Sequence, residues 1–257
     1  GSLDLRSLNR VNGVLTLPEK IYGSLDLSRL TSLEGVQLPE FIEDTLDLRS
    51  LTSLEGVELP EIVGGDLNLW NLKDSNAVMP ACIGGDLNLG LSSLEGTQLP
   101  KTVNGSLNLW NLASLKDVQL PEIVSGSLKL SNLRVVNEFA FQSSLEGYLD
   151  LGELSHVEEA LTLPEEVLGD LDLRSLPSLK DVQLPKVVGG DLNLWSLDDI
   201  NGATFPQHIG GDLKLGSLPS LEGIQLPEVV DGNVYLDSLT SVEIDKLRLE
   251  RPDLNIY

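Results

Sequence analysis

The chain is poor in the residues that catalysis and nucleic-acid binding draw on. In 257 residues it has one cysteine, two histidines, one methionine and three tryptophans, and aromatic residues make up 4% of the total. The single Cys82 excludes an internal disulfide and reads as a small turn or core residue. His156 and His208 lie more than two repeats apart, so a zinc site would have to be built mostly from carboxylates. Lys and Arg number 17 against 40 Asp and Glu, a net charge of −23. That balance excludes the basic patches needed by nucleic-acid phosphates and anionic bilayers. No run of 18 apolar residues is present, and the first residues lack the regions of a signal peptide, so membrane insertion is not expected. The chain also lacks a G-x-S-x-G elbow, a phosphate loop, an HExxH helix and a D-x-[DN]-x-[DN]-G calcium loop. The expectation is therefore a non-enzyme with no catalytic residue, no metal and no cofactor.

What the chain has is a repeat. The motif G-x-L-x-L starts at residues 1, 23, 65, 85, 105, 126, 147, 169, 190 and 211, with variants at 44 and 232. These twelve starts span 231 residues in eleven steps, a mean period of 21. Self-similarity at that spacing is the signature of a solenoid, so length alone is a poor guide to domain number. Counted from the Gly, the consensus is G-D-L-x-L-x-x-L-x-S-L-E-G-V-x-L-P-E-x-V-x, with aliphatic residues at positions 3, 5, 8, 11, 14, 16 and 20. Alternation at 3–5 and at 14–16 predicts two short strands per turn. Pro stands at position 17 in ten of twelve units. It cannot donate a ladder hydrogen bond and is expected to close the second strand. One turn cannot bury enough aliphatic surface to offset the ordering of its own backbone, so neighbouring turns must share their layers.

The prediction is a mainly β, right-handed solenoid of about twelve 21-residue turns with short parallel strands and few helices. Residues 1–241 form the array as a single domain, and 242–257, which break period, form a C-terminal cap. Because the chain opens inside a repeat, it is expected to be a fragment of a longer one. Three units depart from consensus: 71–84 with Ala77, 131–146 with Phe139 and Phe141, and 198–210 with Ile200, Ala203 and Phe205. Leu133, Val136, Phe139, Phe141 and Leu145 keep an inward spacing, and the departures are expected to be drift with compensating core volume.

In the first strand positions 3 and 5 point inward, so 2, 4 and 6 point out and stack into columns. Column 4 holds Asp4, Asp26, Asp47, Asn68, Asn88, Asn108, Asp150, Asp172 and Asn193. Column 6 holds Arg6, Arg49, Trp70, Gly90, Trp110, Arg174, Trp195 and Gly216, and so all three tryptophans. Repeat duplication explains their alignment, since 65–70 and 190–195 are identical. It does not explain why an outward Trp is tolerated. Outward Trp beside Asn and Arg is the composition of a binding hot spot. The proposed face is Trp70, Trp110 and Trp195 as apolar anchors, Arg6, Arg49 and Arg174 as hydrogen-bonding anchors, and Asn68, Asn108 and Asn193 between them. Asp150, Asp170, Asp172 and Asp191, with Arg174 and Lys129 nearby, are the alternative: a carbohydrate-active or carbohydrate-binding surface. A structural surface-display rod is a third reading.

The pattern resembles the leucine-rich repeat. L-x-L-x-x-L, as in Leu67-Asn68-Leu69-Trp70-Asn71-Leu72, is similar to that family's L-x-L-x-x-N-x-L. Leu115 to Val124 resembles a bacterial surface branch with a Leu-Pro step, and the V-x-G-x-L-x-L step of receptor L domains is weaker kin. Leu replaces the family's Asn ladder, as at Leu112 and Leu197, which leaves room for a flatter, two-sheeted coil. The resemblance implies a non-catalytic module that binds a protein partner, here one of basic character, on a bacterial surface or in secreted form.

Overall fold

The computed structural model describes residues 1–73, 78–141, 144–199, 204–220 and 225–257. The fold is a β-solenoid of about 11 turns at about 21 residues per turn, with parallel strands and, among the described residues, one helix. Twelve motif starts enclose eleven complete turns, which accounts for the difference from the expected twelve. The chain divides into two compact units, 1–112 with 117–128, and 113–116 with 129–257.

In the first unit the front sheet runs Leu3–Asp4, Leu25–Asp26, Leu46–Asp47, Leu67–Leu69, Leu87–Leu89, Leu107–Asn108, all parallel. Register aligns like with like: Leu3 with Leu25, Leu25 with Leu46, Leu46 with Leu67. This alignment is what turns sequence positions into columns. The inward leucines, such as Leu25, Leu27, Leu67, Leu69, Leu107 and Leu109, are completely buried. Leu at position 8, the substitute for the Asn ladder, is equally buried at Leu30, Leu72 and Leu112. In the second unit the same sheet position is filled by Leu149–Asp150, Leu171–Asp172, Leu192–Asn193, Leu213–Lys214 and Asn233–Tyr235.

The second sheet does not lie where the alternation predicts it. It follows the proline, at positions 19 and 20: Lys20–Ile21, Phe41–Ile42, Ile62–Val63, Cys82–Ile83, Thr102–Val103 and Ile123–Val124 in the first unit. In the second unit Ser144–Leu145, Glu166–Val167, Val187–Val188, His208–Ile209 and Val229–Val230 do the same. The first residue of each pair faces out and the second faces the core, as for Ile62 and the buried Val63. Pro39, Pro60, Pro100 and Pro121 are buried at the preceding corner. Among the described residues the pairing near positions 14–16 is local: Leu15–Thr16 with Val36–Gln37, Val78 with Gln98, and Val135–Ala140 with His156–Thr162, which pairs in turn with Val182–Gln183.

The corner before position 14 takes a left-handed residue. Gly35, Gly56 and Gly96 occupy it at φ between 70° and 75°, and Asp117 and Asp181 take the same conformation at 57° and 61°. The turn is closed by bonds such as Val36 N–H to Leu33 C=O at 2.9 Å. Of the irregular units, Phe205 is buried, whereas Phe139 and Phe141 are only half-buried and pack edge to face at 4.9 Å. Ala77, Ile200 and Ala203 lie outside the described residues.

The period-breaking tail forms a helix, Ser241–Glu250, begun by a capping box in which Thr240 and Glu243 satisfy each other's backbone N–H. The chain then returns as the strand Asn255–Ile256, which pairs in parallel with Asn233 and Val234 and buries Leu254 and Ile256. The Arg248 guanidinium holds this return by donating to the Ile256 carbonyl at 2.8 and 3.1 Å.

Candidate functional site

Column 4 is first of all a turn device. Its side-chain oxygen accepts the backbone N–H two residues on: Asp4 from Arg6 at 3.2 Å, Asp26 from Ser28 at 3.0 Å, and Asp47 from Arg49 at 3.1 Å. Asn68, Asn108 and Asn193 do the same for Trp70, Trp110 and Trp195, at 3.3, 3.2 and 3.2 Å. These are Asx turns, which either Asp or Asn can make, and they explain why the column interchanges those two residues. Asn108 is buried and also donates to the Asn88 side chain at 3.3 Å. Each of these Asn residues therefore positions a tryptophan, fixing the backbone from which the indole projects.

Column 2 forms a second ladder, from side chain to the backbone of the next turn. Asp66 accepts from Asp86 N–H and Asp86 from Ser106 N–H, both at 2.7 Å. In the second unit Asp170, Asp191 and Asp212 accept from Asp191, Asp212 and Asn233 at 2.8 Å each.

The three arginines are turned onto their own turns. Arg6 Nε donates to Asp4 at 2.8 Å, Arg49 grips Asp47, and Arg174 grips Asp172. The pairing follows from the spacing D-L-R, which places both side chains on the same outward side of one strand. Hydrogen bonds donated to the Asp4 carboxylate by the Arg6 guanidinium and by the Arg6 backbone N–H hold that carboxyl below its ordinary range. The guanidinium groups remain exposed but are not free anchors, which revises the role read for Arg6, Arg49 and Arg174 from the columns alone.

The tryptophans are exposed: 40% for Trp70, 37% for Trp110 and 48% for Trp195. Trp70 and Trp110 project from turns two apart and lean toward each other, stacking with centroids 5.5 Å apart and planes inclined by 20°. Between them lies Gly90, where an added Cβ would meet the Trp70 carbonyl oxygen at 1.9 Å. In the second unit Trp195 lies flat on Gly216, whose added Cβ would meet the indole at 2.6 Å. Bulk in one turn is thus matched by glycine in the next. This complementarity crosses turns and is invisible when each repeat is read separately.

The second unit also carries an open cavity of about 320 Å³ on its front sheet. Tyr148, Asp150, Asp170, Asp172, Arg174, Asp191, Asn193 and Lys214 contribute to its lining, so all four aspartates of the carbohydrate alternative meet there. They are engaged. Asp150 accepts from the Ser131 hydroxyl at 2.7 Å and from Gly152 N–H at 3.0 Å, and Asp191 takes the Lys214 ammonium at 2.7 Å. Burial pushes the Asp191 carboxyl up, but the hydrogen bonds from Lys214 and the Asp212 N–H, with the Lys214 charge, outweigh it and leave the group below its ordinary value. That is the wrong direction for a proton donor at neutral pH. Lys129 is not at the cavity lining; its ammonium lies over the Tyr148 ring at 5.3 Å.

Among the described residues no group of three His, Cys, Asp or Glu side chains is arranged to hold a metal ion, and no helix is long and apolar enough to cross a membrane. Comparison with family models, curated proteins and solved structures gave no match.

Proposed function

We propose that the chain is a non-catalytic binding module that recognises a protein partner of basic character through the outward face of its front strands. The observation that supports this most is the Trp70–Trp110 stack, two large apolar rings more than a third exposed yet held in one geometry. Tryptophan is the residue most enriched in interface hot spots, and a pre-ordered ring loses little side-chain entropy on binding. Asn68, Asn88 and Asn108 supply polar groups beside it. Trp195 with Asn193 offers a smaller version in the second unit. The net charge of −23 favours encounter with a cationic surface. The likeness to leucine-rich repeats supports the same class of function and rests on the sequence pattern.

The test is the triple variant W70A/W110A/W195A. It should keep the thermal midpoint close to wild type and lose proteins that wild type captures from a lysate, with the loss then measured on a purified partner. Destabilisation of the size seen for core Trp→Ala changes, about 3–5 kcal/mol per site, would show that the rings are core. Unaltered capture would remove the front face from consideration.

A further inference from the structure

The second sheet of the first unit carries a surface that the front-face reading does not use. Its outward column reads Lys20, Phe41, Ile62, Cys82, Thr102, Ile123. Ile62 and Ile123 are 51% and 52% exposed, Cys82 is exposed, and exposed Tyr22 packs its ring on Phe41 at 6.1 Å. Tyr22, Phe41, Ile62 and Cys82 therefore form an apolar stripe running from turn to turn. Exposed Glu19, Glu40 and Glu61 line one side, and Glu43 stands on the other, with Lys20 and Lys101 at the ends. The corresponding column of the second unit is Ser144, Glu166, Val187, His208, Val229, and it forms no such run. Nothing in the packing of a turn demands apolar residues at this outward position.

We infer that this stripe is a docking site for a cationic amphipathic helix of a partner protein. The spacing argues for a helix. Side chains of successive turns stand about 4.8 Å apart, so three of them fall at about 0, 4.8 and 9.6 Å. Helix residues i, i+3 and i+7 fall at about 0, 4.5 and 10.5 Å, a close match. A strand laid along the stripe repeats at about 6.7 Å on one face and loses register within two contacts. The charge argues for Lys and Arg on the flanks of that helix, where they reach the glutamates on either side of the stripe. It also argues against a second copy of this chain. Each copy carries −23, and its own helix Ser241–Glu250, although it exposes Val242 and Leu249, sets Glu243, Asp245 and Glu250 against Lys246 and Arg248.

The test uses a synthetic 18-residue Leu/Lys peptide patterned as an amphipathic helix and a scrambled peptide of the same composition. Binding to the full chain is read by fluorescence anisotropy of the labelled peptide. Contact at the stripe is read by the alkylation rate of Cys82, the sole thiol. The patterned peptide should bind and slow alkylation. F41S/I62S should weaken binding about tenfold or more, and E40K/E61K should weaken it and flatten its salt dependence. W70A/W110A should leave it unchanged, which separates this surface from the front face. Equal binding of the scrambled peptide, unprotected Cys82, or indifference to F41S/I62S would overturn the inference. A dimer in sedimentation that F41S/I62S abolishes would overturn it in favour of a second copy.

Discussion

Replacing Gly90 with alanine tests whether turn-to-turn complementarity, more than composition, holds the stack. The added methyl carbon would sit 1.9 Å from the Trp70 carbonyl oxygen, 2.8 Å from its carbon and 3.2 Å from the Leu72 oxygen. All three are backbone atoms, so no rotamer change relieves the clash. An ordinary carbon–oxygen contact needs about 3.3 Å, so the two turns must part locally by roughly 1.4 Å. The Gly90 N–H bond to Leu69 at 3.1 Å and the Asn111 amide bond to the Gly90 carbonyl at 2.9 Å are strained or lost. Overpacking costs about 1–3 kcal/mol and each hydrogen bond about 1, which places the loss at about 3–5 kcal/mol. Gly56 is the control. It has φ of 70° and nothing within 4 Å of an added Cβ, so alanine there costs about 1 kcal/mol through its left-handed backbone alone. Guanidinium unfolding followed by tryptophan fluorescence compares the two, and amide exchange localises the damage to the turns around Gly90. If G90A is as stable as G56A, the turns are not in the close contact argued here.

Asp191→Asn should remove a stabilisation that is present above the unfolded carboxylate pKa of about 3.9 and disappears as pH falls through the lower folded value. The gap between wild type and variant in urea unfolding should be constant from pH 5 to 8 and close below pH 4; a gap that persists at pH 2 would contradict the Lys214 pairing. Thr240→Ala removes the hydroxyl half of the capping box, leaving the backbone N–H of residue 240 on the Glu243 carboxylate, and should cost about 1 kcal/mol, seen as faster amide exchange across Ser241–Glu250 with the front strands unchanged.

The inward columns could be read directly from the sequence, because leucine at positions 3, 5 and 8 repeats often enough to reveal its facing. Leu25, Leu27 and Leu30 are buried as the spacing requires. The second sheet was not legible. A pair such as Ile62-Val63 is too short to show alternation, and the proline before it reads as an end when it is a buried corner. The helix carries a readable signal, Thr240 followed three residues later by Glu243, but it lies outside the 21-residue pattern. At the candidate site the exposure of the tryptophans followed from strand alternation. The fate of the arginines did not, although Asp4-Leu5-Arg6 holds the pairing in its spacing. The Trp70–Gly90–Trp110 arrangement depends on three different turns, and only the register of the sheet brings it into view.

The column 2 ladder has a consequence for how such a chain can grow. At each joint where it forms, a side-chain oxygen of one coil receives the amide of the next in the same direction, a carboxylate from Asp66 to Asp86 and from Asp191 to Asp212, a hydroxyl from Ser106 to Ser127. In this ladder nothing distinguishes the Asp66–Asp86 joint from the Asp191–Asp212 joint, whereas the Trp70–Gly90 and Trp195–Gly216 contacts mark theirs. A unit cut out or copied in whole would keep this ladder matched, so the number of coils is open to change by simple recombination wherever no tryptophan-on-glycine contact crosses the joint, while any edit that is not a whole unit would leave mismatched ends.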